Sequence, residues 1–307
     1  MNEFELIARL AQSLPLNESV VTGAGDDCAV LDLGLPDKLI LFKTDAVVEG
    51  VHFEPDTPPE KIGRKALARC LSDIAAMAGA PVAALVTIAL PGNFRAGVVA
   101  GIYDGLNALA EQFNVAVAGG ETTASPGALL ISISLLGVVG RDRQVLRSGA
   151  RAGDAIFVTG DLGGSRAGKH LDFEPRLAEA RWLADHFQLH AMLDLSDGLA
   201  GDLRRLVQAS RVGAEILKSA LPVSRAAKLR ATSHQPAALA ALTDGEDFEL
   251  LFTLASRDAV KLLDAWQIKF PRLKLSCIGR ILAGQGVRLR DRTGSHPLKL
   301  HGYVHFA

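Results

Sequence analysis

Cysteine, net charge and long apolar runs are all scarce in this chain of 307 residues. Its three cysteines, Cys28, Cys70 and Cys277, are widely spaced and odd in number, which favours a reduced protein over a disulfide scaffold. They form no Cys-x-x-Cys pair or Cys/His group of the zinc-binding kind. The formal net charge of -1 argues against a general nucleic-acid or anionic-membrane surface. We therefore expect neither nucleic acid nor membrane among the partners.

The apolar runs are too short to cross a membrane. The longest, at 83–90 and 128–139, are brief and interrupted. The chain begins with an amphipathic helical pattern that carries two early acidic residues, unlike the basic and then apolar pattern of a signal peptide. These features predict a soluble, cytoplasmic protein.

Hydrophobic residues make up 49% of the chain, and its length allows two domains, each with its own core. The first half predicts a strand at 39–42 ending near Asp45, helices at 57–77 and 94–113, and strands at 115–118 and 129–136. The second half predicts strands at 155–159, 248–254 and 275–281, and helices at 176–187 and 199–209. The turn-rich segment 141–153 places the domain boundary between residues 145 and 146. Strands and helices alternate in both halves, which predicts two α/β domains, 1–145 and 146–307.

Short acidic motifs recur along the chain beside glycines or strand ends. They are Gly25-Asp26-Asp27, Thr44-Asp45, Ser72-Asp73, Gly119-Gly120-Glu121-Thr122, Asp194-Leu195-Ser196-Asp197-Gly198 and Gly245-Glu246-Asp247. Carboxylates gathered in one cleft repel one another and need a counter-charge. Mg²⁺ takes oxygen ligands and is usually held by a few carboxylates together with substrate phosphates. The pattern therefore predicts phosphoryl chemistry assisted by Mg²⁺.

Each motif also has a plain structural interpretation. Asp73 is one helical turn after Arg69 and is placed to form a surface ion pair with it. The helix that begins at Thr57-Pro58-Pro59-Glu60 has Thr57 as its expected cap. Asp194 and Asp197 could serve only to cap the helix that follows them.

A glycine-rich segment, Gly163-Gly164-Ser165-Arg166-Ala167-Gly168-Lys169, almost matches the phosphate-binding loop of P-loop NTPases. The next residue is His170, where that loop needs a Ser or Thr hydroxyl for Mg²⁺. The alternative is a glycine-rich turn into a helix, whose amides can still face an anion.

The order of the motifs resembles that of the thiamine-monophosphate kinases, members of the superfamily of aminoimidazole ribonucleotide synthetase and selenophosphate synthetase. Besides the acidic motifs, the matching segments are Val48-Glu49-Gly50-Val51-His52-Phe53, Lys65-Ala66-Leu67-Ala68, Arg147-Ser148-Gly149-Ala150, Val158-Thr159-Gly160, and Gly302-Tyr303 with His305-Phe306. The resemblance implies an N-terminal domain whose strands join a partner's in a dimeric β-barrel flanked by helices. It also implies a C-terminal α/β domain, a nucleotide cleft between the domains, and a homodimer.

The implied activity is direct in-line transfer of the γ-phosphoryl group of ATP to thiamine monophosphate, with Mg²⁺ as cofactor. The implied metal ligands are Asp27, Thr44, Asp45, Asp73, Glu121, Asp194 and Asp197, of which Asp45, Asp73 and Asp197 are the catalytic candidates. Gly120, Glu121, Arg147 and Ser196 are the implied ATP contacts. His52, Glu246 and Tyr303 are the implied contacts of the acceptor.

The chain departs from the family pattern in four places. Glu121 stands where Asp is usual, Lys43 where Ser is frequent, and Asp244 where Gly is usual. The segment between Gly168 and Asp194 is also shorter. Lys43 could replace one bound metal ion with a fixed charge, or it could point away. The departures leave two alternatives open: a related ATP-dependent enzyme that acts on another acceptor, and a nucleotide-binding regulator.

Overall fold

The structure is a computed structural model that describes residues 3–233 and 235–303. The predicted motif residues His305 and Phe306 lie outside this range. Two mixed sheets follow each other along the chain, and helices cover them. The predicted two-domain α/β class is confirmed at this level. Within the described ranges, no helix combines the length and the apolar character that a membrane crossing needs.

The first sheet has six strands in the order β1-β2-β3-β6-β4-β5. They are β1 (Val20–Thr22), β2 (Ala29–Leu31), β3 (Lys38–Val48), β4 (Ala80–Pro91), β5 (Ala116–Ser125) and β6 (Leu130–Gly140). All neighbours are antiparallel except β4 and β5. In the described residues the sheet stays open, because its end strands β1 and β5 do not pair with each other.

The helices of the first half are α1 (Glu3–Gln12), α2 (Pro59–Ala76) and α3 (Ala96–Gln112). Helix α2 is buried on most of its circumference because it lies between the sheet, α3 and the second half of the chain. The prediction of Thr57 as its cap is wrong. Pro58 occupies the cap position without a side-chain hydrogen bond, and the Thr57 hydroxyl accepts a hydrogen bond from the Glu54 amide at 3.1 Å instead.

The second sheet has seven strands in the order β13-β12-β9-β11-β7-β10-β8. They are β7 (Asp154–Thr159), β8 (Leu189–Asp194), β9 (Gly213–Leu217), β10 (Leu250–Ala255), β11 (Leu275–Leu282), β12 (Gly286–Asp291) and β13 (Gly294–Pro297). Its helices are α4 (Lys169–Asp172), α5 (Leu177–His186), α6 (Leu199–Ser210), α7 (Arg225–Arg230), α8 (Ala237–Thr243) and α9 (Ala259–Lys269). The interior strand β7 is buried along its whole length, and Phe157 on it stacks on Phe252 of β10 at 5.5 Å.

Several predicted elements need correction. Asp45 lies within β3 rather than at its end, because the strand continues to Val48 opposite β6. The strand predicted at 115–118 continues as β5 through Gly119-Gly120-Glu121, paired with β4. The first sheet ends at Gly140 and the second begins at Asp154, while the boundary at 145/146 stays a prediction.

Candidate functional site

Three carboxylates from distant parts of the chain meet where the two halves join. Asp27 precedes β2, Asp73 lies near the end of α2, and Asp194 ends β8. One oxygen of each lies within 4.8 Å of the others, and all three residues are buried. We call this group the acidic cluster. It brings together three of the sequence-predicted metal ligands from both halves of the chain.

Burial makes the charges of this cluster costly. It raises the pKa of Asp194 to about 6, with a further contribution from the charge of Asp27. Burial also raises the pKa of Asp73 well above its usual range, and the charge of Asp194 adds to the effect. The Ser72 hydroxyl donates to Oδ2 of Asp194 at 2.6 Å. A bound cation would relieve the repulsion that remains.

A basic side chain contacts most of the predicted acidic ligands. The pairs are Lys43 with Asp73 at 2.9 Å, Arg147 with Asp27 at 2.6 Å, Arg69 with Asp45 at 2.9 Å, and Arg205 with Asp197 at 2.5 Å. The structural alternative of a surface pair between Arg69 and Asp73 is wrong. Asp73 turns into the buried cluster, so the Arg69 guanidinium reaches across to both oxygens of Asp45.

Lys43 points toward the acidic cluster rather than away from it. Burial alone would lower the pKa of its ammonium group, but the charges of Asp73 and Asp45 outweigh burial and raise it. Burial would likewise raise the pKa of Asp45, yet Arg69 and Lys43 lower it. Both side chains are therefore charged at neutral pH.

The donor atoms of the acidic cluster suit a hard divalent cation. All are carboxylate oxygens, the ligand type that Mg²⁺ prefers. Within the described part of the chain, Oδ2 of Asp27 is buried and has no hydrogen-bond partner. A buried carboxylate oxygen without a donor is costly unless a ligand reaches it. The residues present thus fit Mg²⁺.

Other predicted ligands lie outside this cluster. The two oxygens of Asp45 bind Arg69. Along β3, burial alternates, so Lys43 and Asp45 face the helices while Thr44 lies on the open face of the sheet, 3.4 Å from the Ser132 hydroxyl. Glu121 is exposed on the edge strand β5. The hydroxyl of Thr44 and the carboxylate of Glu121 therefore do not join the acidic cluster within one chain.

Gly120, a predicted ATP contact, lies where β5 approaches β4 closely. A Cβ atom at this position would lie 1.8 Å from the backbone oxygen of Val86. Only glycine permits this approach. The close packing of β5 on β4 thus explains the glycine at position 120, whether or not a nucleotide binds there.

A cavity of about 310 Å³ opens beside the acidic cluster. The three predicted acceptor residues, His52, Glu246 and Tyr303, all line it, together with Ser196 and Asp197. Asp197 and Asp194 are three residues apart on the segment that leads from β8 into α6, so this segment serves both the cluster and the cavity. The cavity lining also contains Arg69, Arg166, Arg230 and Phe248, none of which was among the predicted site residues.

Backbone hydrogen bonds hold the cavity walls together. The amide of Glu246 donates to the Ser196 carbonyl at 2.7 Å, and the amide of Tyr303 donates to the Asp197 carbonyl at 2.8 Å. Gly302 lies so close to Asp197 that a Cβ atom would be 2.2 Å from the same carbonyl oxygen. The Gly302-Tyr303 motif therefore packs directly on the Asp194–Gly198 motif, although about a hundred residues separate them in sequence.

His52 is a neutral imidazole at pH 7. Burial, reinforced by the charge of Arg69, lowers its pKa to about 4. The Val48 amide donates to Nδ1 of His52 at 3.1 Å, so the ring carries its proton on Nε2. The ring can therefore donate one hydrogen bond through that nitrogen.

The glycine-rich segment does not form a phosphate cradle. The amide of Gly163 donates to Asp247, the amide of Gly164 donates to Asp244 at 2.8 Å, and Lys169 donates to Glu249 at 2.9 Å. Carboxylates thus occupy the groups that a P-loop would offer to phosphates. The segment forms a short 3₁₀ turn at Ser165–Ala167 followed by α4. The turn-into-helix alternative accounts for it.

The chain matches family models in both halves. Residues 25–139 match the model of the AIR synthase related protein, N-terminal domain, and residues 151–292 match that of the C-terminal domain. The thiamine-monophosphate kinase of Rhodopirellula baltica is 38% identical over 93% of this chain and 92% of its own length. That of Bacillus subtilis is 33% identical over the full length of both chains.

Solved structures agree with these matches. The structure of AaThiL complexed with AMPPCP and TMP has a TM-score of 0.80 and 32% identity, and covers 99% of this chain and 97% of its own. Both the family models and the full-length identities thus point to one family. This chain belongs to the thiamine-monophosphate kinases, within the AIR synthase related proteins.

Proposed function

We propose that this protein uses ATP to phosphorylate thiamine monophosphate, giving thiamine diphosphate and ADP. The observation that carries the proposal is the position of the acidic cluster beside a cavity lined by His52, Glu246 and Tyr303. A phosphoryl donor held at the cluster and an acceptor held in the cavity would meet at the Ser196-Asp197 segment. The likeness to AaThiL, solved with AMPPCP and TMP, supports the same two substrates.

The residues of this chain would act mainly by binding and orientation. The acceptor is a phosphate oxygen that is already anionic, so in-line attack needs no strong base. Asp27, Asp73 and Asp194 would hold Mg²⁺, which when bound neutralises phosphate charge and aligns donor and acceptor. Asp45 and Asp197, each now paired with an arginine, would complete the charge balance around the phosphates.

Arginine and backbone groups would hold the nucleotide. The guanidinium of Arg147, now on Asp27, can bind two phosphate oxygens at once. Gly120 and Glu121 on the edge strand and Ser196 on the cavity wall are the other proposed ATP contacts. Thr44 and Glu121 lie away from the acidic cluster in one chain, so we propose that they act near the subunit boundary.

The cavity would bind the acceptor by matching its charges. Glu246 supplies a carboxylate for the cationic thiazolium ring, and Tyr303 supplies an aromatic face. The guanidinium carbon of Arg166 lies 6.0 Å from the centre of the Tyr303 ring and faces the same cavity. His52, protonated on Nε2, would donate a hydrogen bond without adding charge.

We also propose a homodimer whose first sheets close into a β-barrel. The face of the first sheet opposite α2 exposes apolar side chains, such as Phe42 at 47% and Leu85 at 51%. Strand β5 is an exposed edge that could pair with another strand. A cytoplasmic location would suit a protein that uses ATP and has three free cysteines.

The test is formation of thiamine diphosphate from ATP, Mg²⁺ and thiamine monophosphate, with free thiamine as a parallel acceptor. We expect product from the monophosphate alone. Binding of a non-hydrolysable ATP analogue without turnover on either acceptor would favour a related enzyme with another acceptor, or a nucleotide-binding regulator. Product from free thiamine alone would contradict the proposal.

A further inference from the structure

Lys65 is fully buried in the middle of α2. A lysine is rarely buried completely unless its ammonium group is paired. Here Nζ donates to the backbone oxygen of His52 at 2.5 Å and lies 2.6 Å from Oε1 of Glu246. One ammonium group thus joins a segment of the first half of the chain to a loop of the second half.

Both residues that Lys65 binds line the cavity, but Lys65 itself is not part of the lining. Glu246 lies in the left-handed region, with φ of 63°, which is costly for a residue other than glycine. Its Oε2 atom is buried and has no hydrogen-bond partner in the described part of the chain. A second cation near its carboxylate is Arg69, with Nη1 at 3.9 Å from Oε1. Lys65 therefore holds this carboxylate in place from the side away from the cavity.

We propose that Lys65 is a positioning residue for the acceptor: it fixes His52 and Glu246 on the cavity wall without touching the substrate. The inference rests on the proposed function, because it gives the cavity the acceptor described above. The inference predicts that removing the Lys65 ammonium group affects one substrate and not the other. Loss of the ammonium group should weaken acceptor binding and leave nucleotide binding nearly unchanged, because both residues that it contacts, His52 and Glu246, line the cavity.

The charge state of Lys65 supplies a separate readout. Burial, with smaller contributions from Arg69 and Arg166, lowers its pKa to about 8, although Glu246 opposes the shift. His52 and His170 are the titratable rings near this ammonium group, and burial lowers the pKa of both below its usual value. As pH rises through about 8, Lys65 loses its charge and Glu246 loses its closest cation. The KM for the acceptor should therefore rise in that range.

The first experiment compares Lys65→Met with Lys61→Met, the same change one turn earlier on α2, where Lys61 forms an exposed pair with Asp172. We expect Lys65→Met to raise the KM for thiamine monophosphate roughly 10-fold or more, since an unpaired buried charge is strongly unfavourable. The KM for ATP should change less than about 3-fold, and Lys61→Met should change neither. The inference would be overturned if Lys65→Met left the KM for thiamine monophosphate unchanged, or if it raised the KM for thiamine monophosphate and the KM for ATP equally.

Two further variants separate positioning from a general structural role. Lys65→Arg keeps the charge at every pH, so the rise in acceptor KM above about pH 8 should disappear. If Lys65 acts through Glu246, then Lys65→Met should add much less to Glu246→Gln than it does to the wild type. The proposal would be contradicted if the acceptor KM of Lys65→Arg still rose above about pH 8. It would also be contradicted if the effects of Lys65→Met and Glu246→Gln on the acceptor KM were fully additive in the double variant.

The controls distinguish failure of the inference from failure of the proposed function. Wild-type protein that neither binds nor phosphorylates thiamine monophosphate would overturn the function, and the inference with it. Wild-type turnover with an unaffected Lys65→Met would overturn the inference alone. Circular dichroism checks folding, and if Lys65→Met does not fold, Lys65→Gln replaces it while the Lys65→Arg pH profile still decides.

Discussion

The Nζ atom of Lys43 lies 2.9 Å from Oδ1 of Asp73, and Asp73 is also one of the three carboxylates that meet within 4.8 Å. A fixed monovalent cation thus stands in a cluster whose oxygens suit a divalent one. When two charges lie a few ångströms apart in a partly buried site, their interaction energy is on the order of several kcal/mol, and it is favourable or unfavourable according to their signs. We therefore expect Lys43 to weaken the attraction of the acidic cluster for Mg²⁺.

We predict that Lys43→Ser changes the Mg²⁺ dependence of turnover. Without the lysine, the cluster regains one negative charge, so the half-saturating Mg²⁺ concentration should fall roughly 3-fold or more. The measurement is a Mg²⁺ titration at saturating ATP, with Mn²⁺ binding measured separately by electron paramagnetic resonance. Lys38→Ser, at the exposed start of the same strand, is the control and should behave as wild type. Identical titrations for all three proteins would place Lys43 outside the metal shell.

Asp73→Asn and Asp45→Asn should each lower kcat by about 100-fold or more while the fold is retained. Asparagine keeps the size of the side chain but removes the negative charge that would attract the metal ion bound to the phosphates. Steady-state kinetics give the loss, and circular dichroism checks the fold. Asp172→Asn, which removes an exposed charge paired with Lys61, serves as the control. Near-normal kcat in both site variants would rule out the assignment of Asp73 and Asp45.

The sequence predicted the helices α3, α5 and α6 well because their apolar spacing was regular. It missed β4, because the apolar run at 83–90 was considered only as a possible membrane span. That this run is a strand follows from its pairing with β5 on one side and β6 on the other, which the local sequence does not reveal. The order of motifs pointed to carboxylates in one cleft, and Asp27, Asp73 and Asp194 do meet. Which base pairs with which acid depends on side-chain direction, and spacing along one helix wrongly favoured Arg69 with Asp73.

The cavity was likewise only partly predictable from the sequence. His52, Glu246 and Tyr303 were named from the resemblance, and all three line the cavity. Arg166 was visible only as part of a glycine-rich segment, and Lys65 only as one residue of a matching motif. Their proximity to the cavity follows from the packing of α2 against the second half of the chain, which no local pattern encodes.

Asp247 predicts a pH dependence of stability. Burial raises its pKa to about 7, although Lys169 and the Gly163 amide favour its charged form. The folded state therefore holds this proton more tightly than the unfolded state, where the pKa is near 3.8. Stability from this group consequently falls as pH rises from about 4 to about 7.

Asp247→Asn should remove that fall while the side chain can still accept the Gly163 amide. At pH 8 the variant should be more stable than wild type by on the order of 1–3 kcal/mol, and at pH 4 the two should be similar. Chemical denaturation at each pH, without added Mg²⁺, measures the difference. Asp258→Asn, in the short turn before α9, is the control, because the Asp258 side chain makes no capping hydrogen bond to that helix. A constant difference between the two proteins across this pH range would contradict the interpretation of Asp247.

The open face of the first sheet gives the last prediction. Leu85 on β4 is 51% exposed and lies opposite Ser134 of β6, and the neighbouring strand β3 presents Phe42 on the same face. An apolar sheet face beside an exposed edge strand is a typical protein–protein contact. In the proposed dimer, Leu85 would be covered by the partner's sheet.

Leu85→Asp should therefore convert the dimer into a monomer, because it would bury a charge in the interface without a counter-charge. Leu229→Asp on α7 provides a matched control, since Leu229 is 75% exposed on the second half of the chain. Sedimentation velocity at micromolar concentration distinguishes the two masses. If Leu85→Asp stays dimeric, the open face is not the interface, and a monomeric wild type would exclude the barrel altogether. Loss of kcat that parallels dissociation would also show that activity depends on the dimer, as the proposed roles of Glu121 and Thr44 require.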